Sequence, residues 1–248
     1  MKFRYKVSVE YDGTNYSGFQ KQKNIQLKTI EGVLEKSIYF FSNQKVKICA
    51  SGRTDAGVHA LCQTIHFDLN KKYSNYTVIM ALNYYLRGED VVVIDCELVD
   101  NSFNARLSSK MRYYRYIIIN RKYPLTLDKK RAWHIAKELD INLMNEAKLF
   151  LIGKHDFSSF RDSQCQSKSA VKTINDILIT KKDHQIYIDV SAKSFLHHMV
   201  RNIVGTLILV GQKKIDAIKV KEILAMKDRT KSGANAPAHG LYFLKTDY

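Results

Sequence analysis

Ser51-Gly52-Arg53-Thr54-Asp55-Ala56-Gly57-Val58-His59-Ala60 is the stretch on which the rest of the chain depends. It sets one carboxylate, Asp55, between two glycines, with Arg53 two residues before it and His59 four after. Gly52 and Gly57 permit backbone angles closed to other residues and let a ligand approach the main chain. Val46 to Ala50 alternates apolar and polar residues, which predicts a half-buried strand leading into the loop. Leu61, Gln63, Ile65, His66, Phe67 and Leu69 predict a second strand after it. Asp55 is therefore expected at the end of a strand, on a tight turn held by a sheet. Rigid elements commonly aim a functional loop residue in this way. An aspartate that merely caps its own turn would use the same residue types, so the rest of the chain must decide.

Composition narrows the function classes. A chain of 248 residues, 45% of them hydrophobic, can build a sizeable core in one or two compact units. Forty Lys and Arg against 24 Asp and Glu leave a net charge of +16, which points to nucleic acid as partner. Fifteen Tyr and eleven Phe are interleaved with that charge, a combination RNA-binding surfaces use for stacking. Cys49, Cys62, Cys96 and Cys165 form no CxxC pair, which argues against a structural zinc and a disulfide framework. Free thiols in a reducing cytoplasm follow. Met1 to Lys6 lacks the apolar run of a signal peptide, and the longest apolar segment, Ile203 to Val210, is too short to span a bilayer. The expectation is a cytoplasmic protein with no membrane span.

Phe3, Tyr5, Val7 and Val9 predict an opening strand, and Glu10 to Gln20 a loop rich in turn formers. Ile30, Val33, Leu34, Ile38 and Phe41 recur at helical spacing, with Thr29 as N-cap. Val78 to Leu86 predicts a short helix, and Val91 to Ile94 a buried strand. In the strand Arg112 to Ile119, Tyr114 and Tyr116 share one face and Arg115 the other. A helix follows around Leu143 to Leu151, with Asp140 before it and Gly153 after, and Ile186, Ile188 and Val190 alternate as a further strand. Phe195 to Gly205 predicts the start of a helix with a broad apolar face and a narrow polar stripe of His197, His198, Arg201, Asn202 and Gly205. A lone buried charge is costly, so Arg201 needs an anion from elsewhere in the chain, unless it reaches solvent or caps a carbonyl. Successive histidines on a helix point apart, and no acid or cysteine stands at i+3 or i+4, so packing or RNA contact is expected of His197 and His198 rather than metal binding. No linker or low-complexity stretch marks a boundary, and no internal repeat is evident.

The string Gly52 to Ala60 resembles the signature loop of pseudouridine synthases, specifically the tRNA pseudouridine synthase A family. Tyr11-Asp12-Gly13, the Tyr-Arg-Tyr context of Tyr114, His155 to Arg161, Gln164 to Ser167, Phe195 to Gly205 and Ala236 to Phe243 resemble further motifs in the same order. Phe19, where a Trp is usual, and the Ile30-Glu31 region depart from the pattern. The resemblance implies an α+β fold of two ferredoxin-like halves sharing a mostly antiparallel sheet, with the active-site cleft between them. Residues 1–105 would carry the aspartate loop and 106–248 the cleft tyrosine and arginine. It implies Asp55 as nucleophile, Tyr114 stacking on the target uracil, Arg201 as the basic partner of the aspartate, and Leu241 lining the pocket. Arg53 would order the loop or hold RNA, and His59 would be structural. The implied reaction isomerises uridine to pseudouridine at positions 38, 39 and 40 of the tRNA anticodon stem-loop, without cofactor or metal, by a homodimer. Whether Asp55 would attack C1′ or C6, or assist elimination at the sugar, stays open. Another RNA specificity, or an RNA-binding module without turnover, would fit the charge equally. A metal-dependent nuclease fits poorly, because the key loop holds one acid and not a cluster.

Overall fold

The computed structural model describes residues 2–22 and 27–248. The chain forms two compact units, Met1–Lys110 with Tyr242–Tyr248, and Met111–Leu241. The junction falls after Lys110, five residues beyond the expected 105/106 boundary, and the last strand is counted with the first unit.

In the first unit the chain runs β1 (Phe3–Tyr11), α1 (Ile30–Ser42), β2 (Cys49–Ala50), β3 (His59–Leu69), α2 (Asn75–Tyr85) and β4 (Val91–Val99). This is the β-α-β-β-α-β order of a ferredoxin-like unit. β1 pairs antiparallel with both β3 and β4, and β2 pairs antiparallel with β3. Tyr5, Val7, Val9, Ile65, Phe67 and Leu69 are buried on the sheet, and α1 and α2 add Ile30, Leu34, Ile38, Val78 and Leu82 to this core. Thr29 caps α1 as expected, its hydroxyl accepting the Gly32 N–H at 3.2 Å. Two expectations need correction. The strand before the Asp55 loop is only Cys49–Ala50, because the preceding residues make no ladder. β4 is not wholly buried: it ends the pairing order of the sheet, and Val92 and Ile94 face outward.

In the second unit β5 (Met111–Asn120) is followed by β6 (Trp133–Ile135), α3 (Ile141–Lys148), β7 (Gly153–Asp156), β8 (Val171–Lys182), β9 (Gln185–Ala192), α4 (Met199–Gly211) and α5 (Lys219–Met226). The order β5-β9-β8-β7 is antiparallel throughout, and β6 lies parallel on β5. β10 (Leu241–Asp247) leaves the second unit at Leu241 and pairs parallel with β3 of the first, Tyr242 opposite His59. Asp140 caps α3 through the Leu143 N–H.

α4 is the best-buried helix: only Arg201 and Leu209 of its thirteen residues are not buried. It starts later than expected. His197 and His198 lie in a turn before it, and His198 takes the left-handed conformation at φ 60°. The expected polar stripe is also covered. Residues 233–236 lie along it so closely that a Cβ on Gly205 would stand 1.9 Å from the Ala234 carbonyl oxygen. Asn202 is satisfied there, donating to the Phe160 carbonyl and accepting from Arg229.

Candidate active site

Asp55 is half-buried in the loop between β2 and β3, and bonds within the first unit hold the backbone on either side of it. On one flank, Gln63 donates to the Gly52 carbonyl at 2.6 Å, and the Ser51 N–H reaches the Thr64 carbonyl at 2.8 Å. On the other, the Phe19 N–H donates to the Thr54 carbonyl at 3.0 Å, and the Tyr11 and Thr54 hydroxyls bond at 2.8 Å. A register shift between Val9 and Tyr11 in the β1/β3 ladder precedes that contact, as bulges beside sites often do. The loop closes on itself through the Val58 N–H to the Asp55 carbonyl, with Gly57 at φ 77°.

Two glycines of the preceding loop make the packing possible. A Cβ on Gly13 would stand 2.0 Å from the Val58 carbonyl oxygen, and Gly18, at φ +94°, lies against Thr54, Asp55 and Ala56. Phe19 is buried beside Tyr11, so the residue that departs from the family pattern fills the core under the loop. His59 is buried, its Nδ1 accepting the Gly13 N–H at 3.1 Å, and its ring stacks on Tyr242. That is the structural part expected of it. Arg53 is exposed and makes no side-chain hydrogen bond or ion pair among the described residues.

In the second unit Arg201 bonds to the segment 236–241, which ends in Leu241, and Tyr114 lies on β5. Arg201 Nε donates to the Ala236 carbonyl at 2.7 Å, and the Ala236 N–H returns a bond to the Arg201 carbonyl. Tyr114 is buried on β5 and meets Phe195 edge-on, ring centroids 5.1 Å apart. Its neighbour on the same face, Tyr116, donates to the Pro237 carbonyl at 2.7 Å and packs against Gly240. Burial pushes the Tyr116 phenol far above the ordinary tyrosine value, against the opposing pull of Arg201. Leu241 is buried directly after Gly240. Arg115, on the opposite face, is held bidentately by Asp189 at 2.7 Å to each oxygen.

The turn into α4 has a partner that sequence pattern does not reveal. Asp162 accepts from His198 Nδ1 at 2.7 Å and lies 3.4 Å from His197 Nδ1, and the two imidazoles are 3.9 Å apart. The histidines thus converge on one carboxylate, contrary to the divergence expected on a helix, because neither is helical. The Asp162 N–H bonds the His197 carbonyl and the His197 N–H reaches the Cys165 sulfur, so the two loops are tied by backbone as well. Burial pushes the Asp162 carboxyl up, but the Gln164 N–H and the imidazoles of His198 and His197 outweigh it and hold it below the usual carboxylate range. Nothing at i±3 or i±4 links residue 162 to 198, so only the fold could have paired them.

A family model described as "tRNA pseudouridine synthase" matches residues 7–106 and 147–248, which include Arg53, Asp55, Arg201 and Leu241 but not Tyr114. The chain is 47% identical over 245 residues to the tRNA pseudouridine synthase A of Anaplasma phagocytophilum (strain HZ), covering 99% of this chain and 100% of that one. It is 45% identical over 245 residues, with the same coverage, to the tRNA pseudouridine synthase A of Wolbachia pipientis wMel. Among solved structures, a Cbf5-Nop10-Gar1 complex matches with a TM-score of 0.36 and 9% identity, over 96% of this chain and 57% of that one.

Proposed function

This chain belongs to the tRNA pseudouridine synthase family of isomerases, and on that premise we propose that it converts uridine to pseudouridine at positions 38, 39 and 40 in the tRNA anticodon stem-loop. The reaction breaks the N1–C1′ bond, turns the uracil and forms a C5–C1′ bond. The C5 proton is lost to solvent and N1 gains one, so atoms balance with no co-reactant. Asp55 supplies the nucleophile, as carboxylates do in glycosyl transfer chemistry. Arg201 favours that anion as its countercharge. Tyr114 offers the target base a stacking face once it has left the helix stack. Arg53 grips the RNA backbone, and Leu241 lines the pocket. The protein acts as a homodimer in the cytoplasm, one subunit steadying the tRNA that the other modifies.

The observation that carries this reading is the construction of the Asp55 loop. Five hydrogen bonds and two close glycine contacts hold the backbone on both sides of one half-buried carboxylate. A turn residue capping itself would not require that investment of buried structure. The test is tritium release from tRNA transcripts labelled at uracil C5. The wild-type protein should release it without added metal or nucleotide, and Asp55→Asn should bind the RNA but release none. Release by both proteins would remove Asp55 from the mechanism. Mapping the modified nucleotide then decides the position.

A further inference from the structure

The positive charge of this chain is unevenly placed. Residues 111–241 hold 24 of the 40 Lys and Arg but 12 of the 24 Asp and Glu, so the second unit carries +12 of the net +16. Part of the excess gathers where β5 ends and β8 turns into β9. A groove of about 810 Å³ opens there, lined by Asn120, Arg121, Lys122, Tyr123, Lys181 and His184, with Glu138 and Asp183 as its acids.

The groove has a constructed floor. Asn120 is only 7% exposed, and its Nδ2 donates to the Ile135 and Lys137 carbonyls, each at 2.8 Å. Its Oδ1 accepts the Leu139 N–H, and its backbone N–H bonds the His184 carbonyl at 2.7 Å. Three segments are thereby fixed around one satisfied polar side chain. Lys137 Nζ donates to the Gln212 carbonyl, which brings Lys213 and Lys214, just past α4, to the same region. Among the described residues Lys122, Lys181, Lys182 and Lys214 make no ion pair, although Glu138 and Asp183 are at hand.

Lysines on a mixed solvated face are ordinary. Here Arg121, Lys122 and Lys181 stand against Glu138 and Asp183, and Tyr123 is 71% exposed among them. Phosphates suit such cations through counterion release, and an exposed tyrosine offers a stacking face. A protein partner suits the groove less well, because protein interfaces are depleted in lysine and built on apolar cores. Within the second unit the groove is also remote from Arg201 and Tyr114. Arg201 is in the first turn of α4 and Lys213 follows its last, which separates them by about 18 Å at 1.5 Å per residue. Tyr114 and Arg121 are about 23 Å apart along β5 at 3.3 Å per residue.

We propose that this groove holds the phosphate backbone of the tRNA substrate outside the anticodon stem-loop, adding affinity but no chemistry. The inference rests on the tRNA reading above. The test is the double variant Lys122→Glu/Lys181→Glu, both exposed positions, with thermal melting as the control for folding. Binding of a full tRNA transcript and of the isolated anticodon stem-loop is measured across a salt series, together with tritium release from each. Full-length tRNA should bind about tenfold more weakly, with the slope of log affinity against log salt reduced by about two. Stem-loop binding and turnover should be unchanged. Equal losses on both RNAs, no loss on either, or a wild-type protein that binds the two RNAs equally well would each overturn the proposal. Absence of tritium release by the wild-type protein would instead count against the catalytic reading and leave the binding comparison readable.

Discussion

The segment that carries Asp55 and the segment that carries Arg201 are held by different kinds of interaction. The Asp55 loop is fixed by backbone groups, neutral hydroxyl and amide side chains, and glycines that admit close approach. The turn into α4, which delivers Arg201, is tied by an aspartate shared between two histidines and by a cysteine sulfur. The bonds described for the first arrangement run mainly between backbone, hydroxyl and amide groups, with His59 the ionisable exception. The second is built from groups whose charge changes with pH. One segment is held mainly by neutral groups and the other by ionisable ones, within units of +4 and +12 net charge.

The contrast can be tested from both sides. Asp55→Asn preserves the shape and the packing of the loop, so it should reduce tritium release by at least about 10³-fold while changing RNA affinity little. A comparable loss of RNA binding would mean that the carboxylate shapes the loop instead. Gly18→Ala attacks the loop's support. The added Cβ would lie 2.9 Å from the Thr54 carbonyl oxygen in a backbone at φ +94°, and a loss of about 1–3 kcal/mol in denaturant unfolding is expected, with turnover falling too. Tyr11→Phe removes the hydroxyl's bonds to buried Thr54 and Gln63 and should cost about 1–2 kcal/mol, equally at pH 5 and pH 8. Asp162→Asn should behave differently. The folded carboxyl sits below its unfolded value of about 3.9, so its contribution is present above that value and is lost as pH falls through the folded one. The difference in melting temperature between wild type and Asp162→Asn should therefore be largest near pH 6 and shrink toward pH 3. A difference independent of pH would show that the backbone ties alone hold the turn.

Much of this was legible in the residues. Period-two alternation in Phe3–Val9 and Ile186–Val190, and the capped helical spacing after Thr29 and Asp140, correspond to β1, β9, α1 and α3. Those signals are local, and local backbone preference agrees with the tertiary structure there. The turn between β8 and β9 is compact, with Asp183 at φ 53°, yet β8 itself escaped notice. Its outward face mixes Thr, Asn, Asp and Leu, and alternation fades where one side meets solvent. The start of α4 was misplaced for a related reason. Phe195 and Leu196 continue the apolar spacing, but the bonds from Asp162 and Cys165 hold residues 197 and 198 in a turn.

Asp55, Arg53, Tyr114, Arg201 and Leu241 are singled out as candidates by motifs, because a motif records residue types at fixed spacing. What lies 30 to 40 residues away leaves no such record. The sequence by itself determined the chemistry available, a carboxylate between glycines in a basic, tyrosine-rich chain, together with the local elements that present it. Only the tertiary structure decided which groups hold these segments in place: Gly13 and Gly18 under the loop, Ala236 on Arg201, Asp162 on the paired histidines, and Asn120 beneath the groove at the end of β5. These are contacts between segments distant in the chain, and their partners are chosen by packing and hydrogen-bond satisfaction, which no spacing rule encodes.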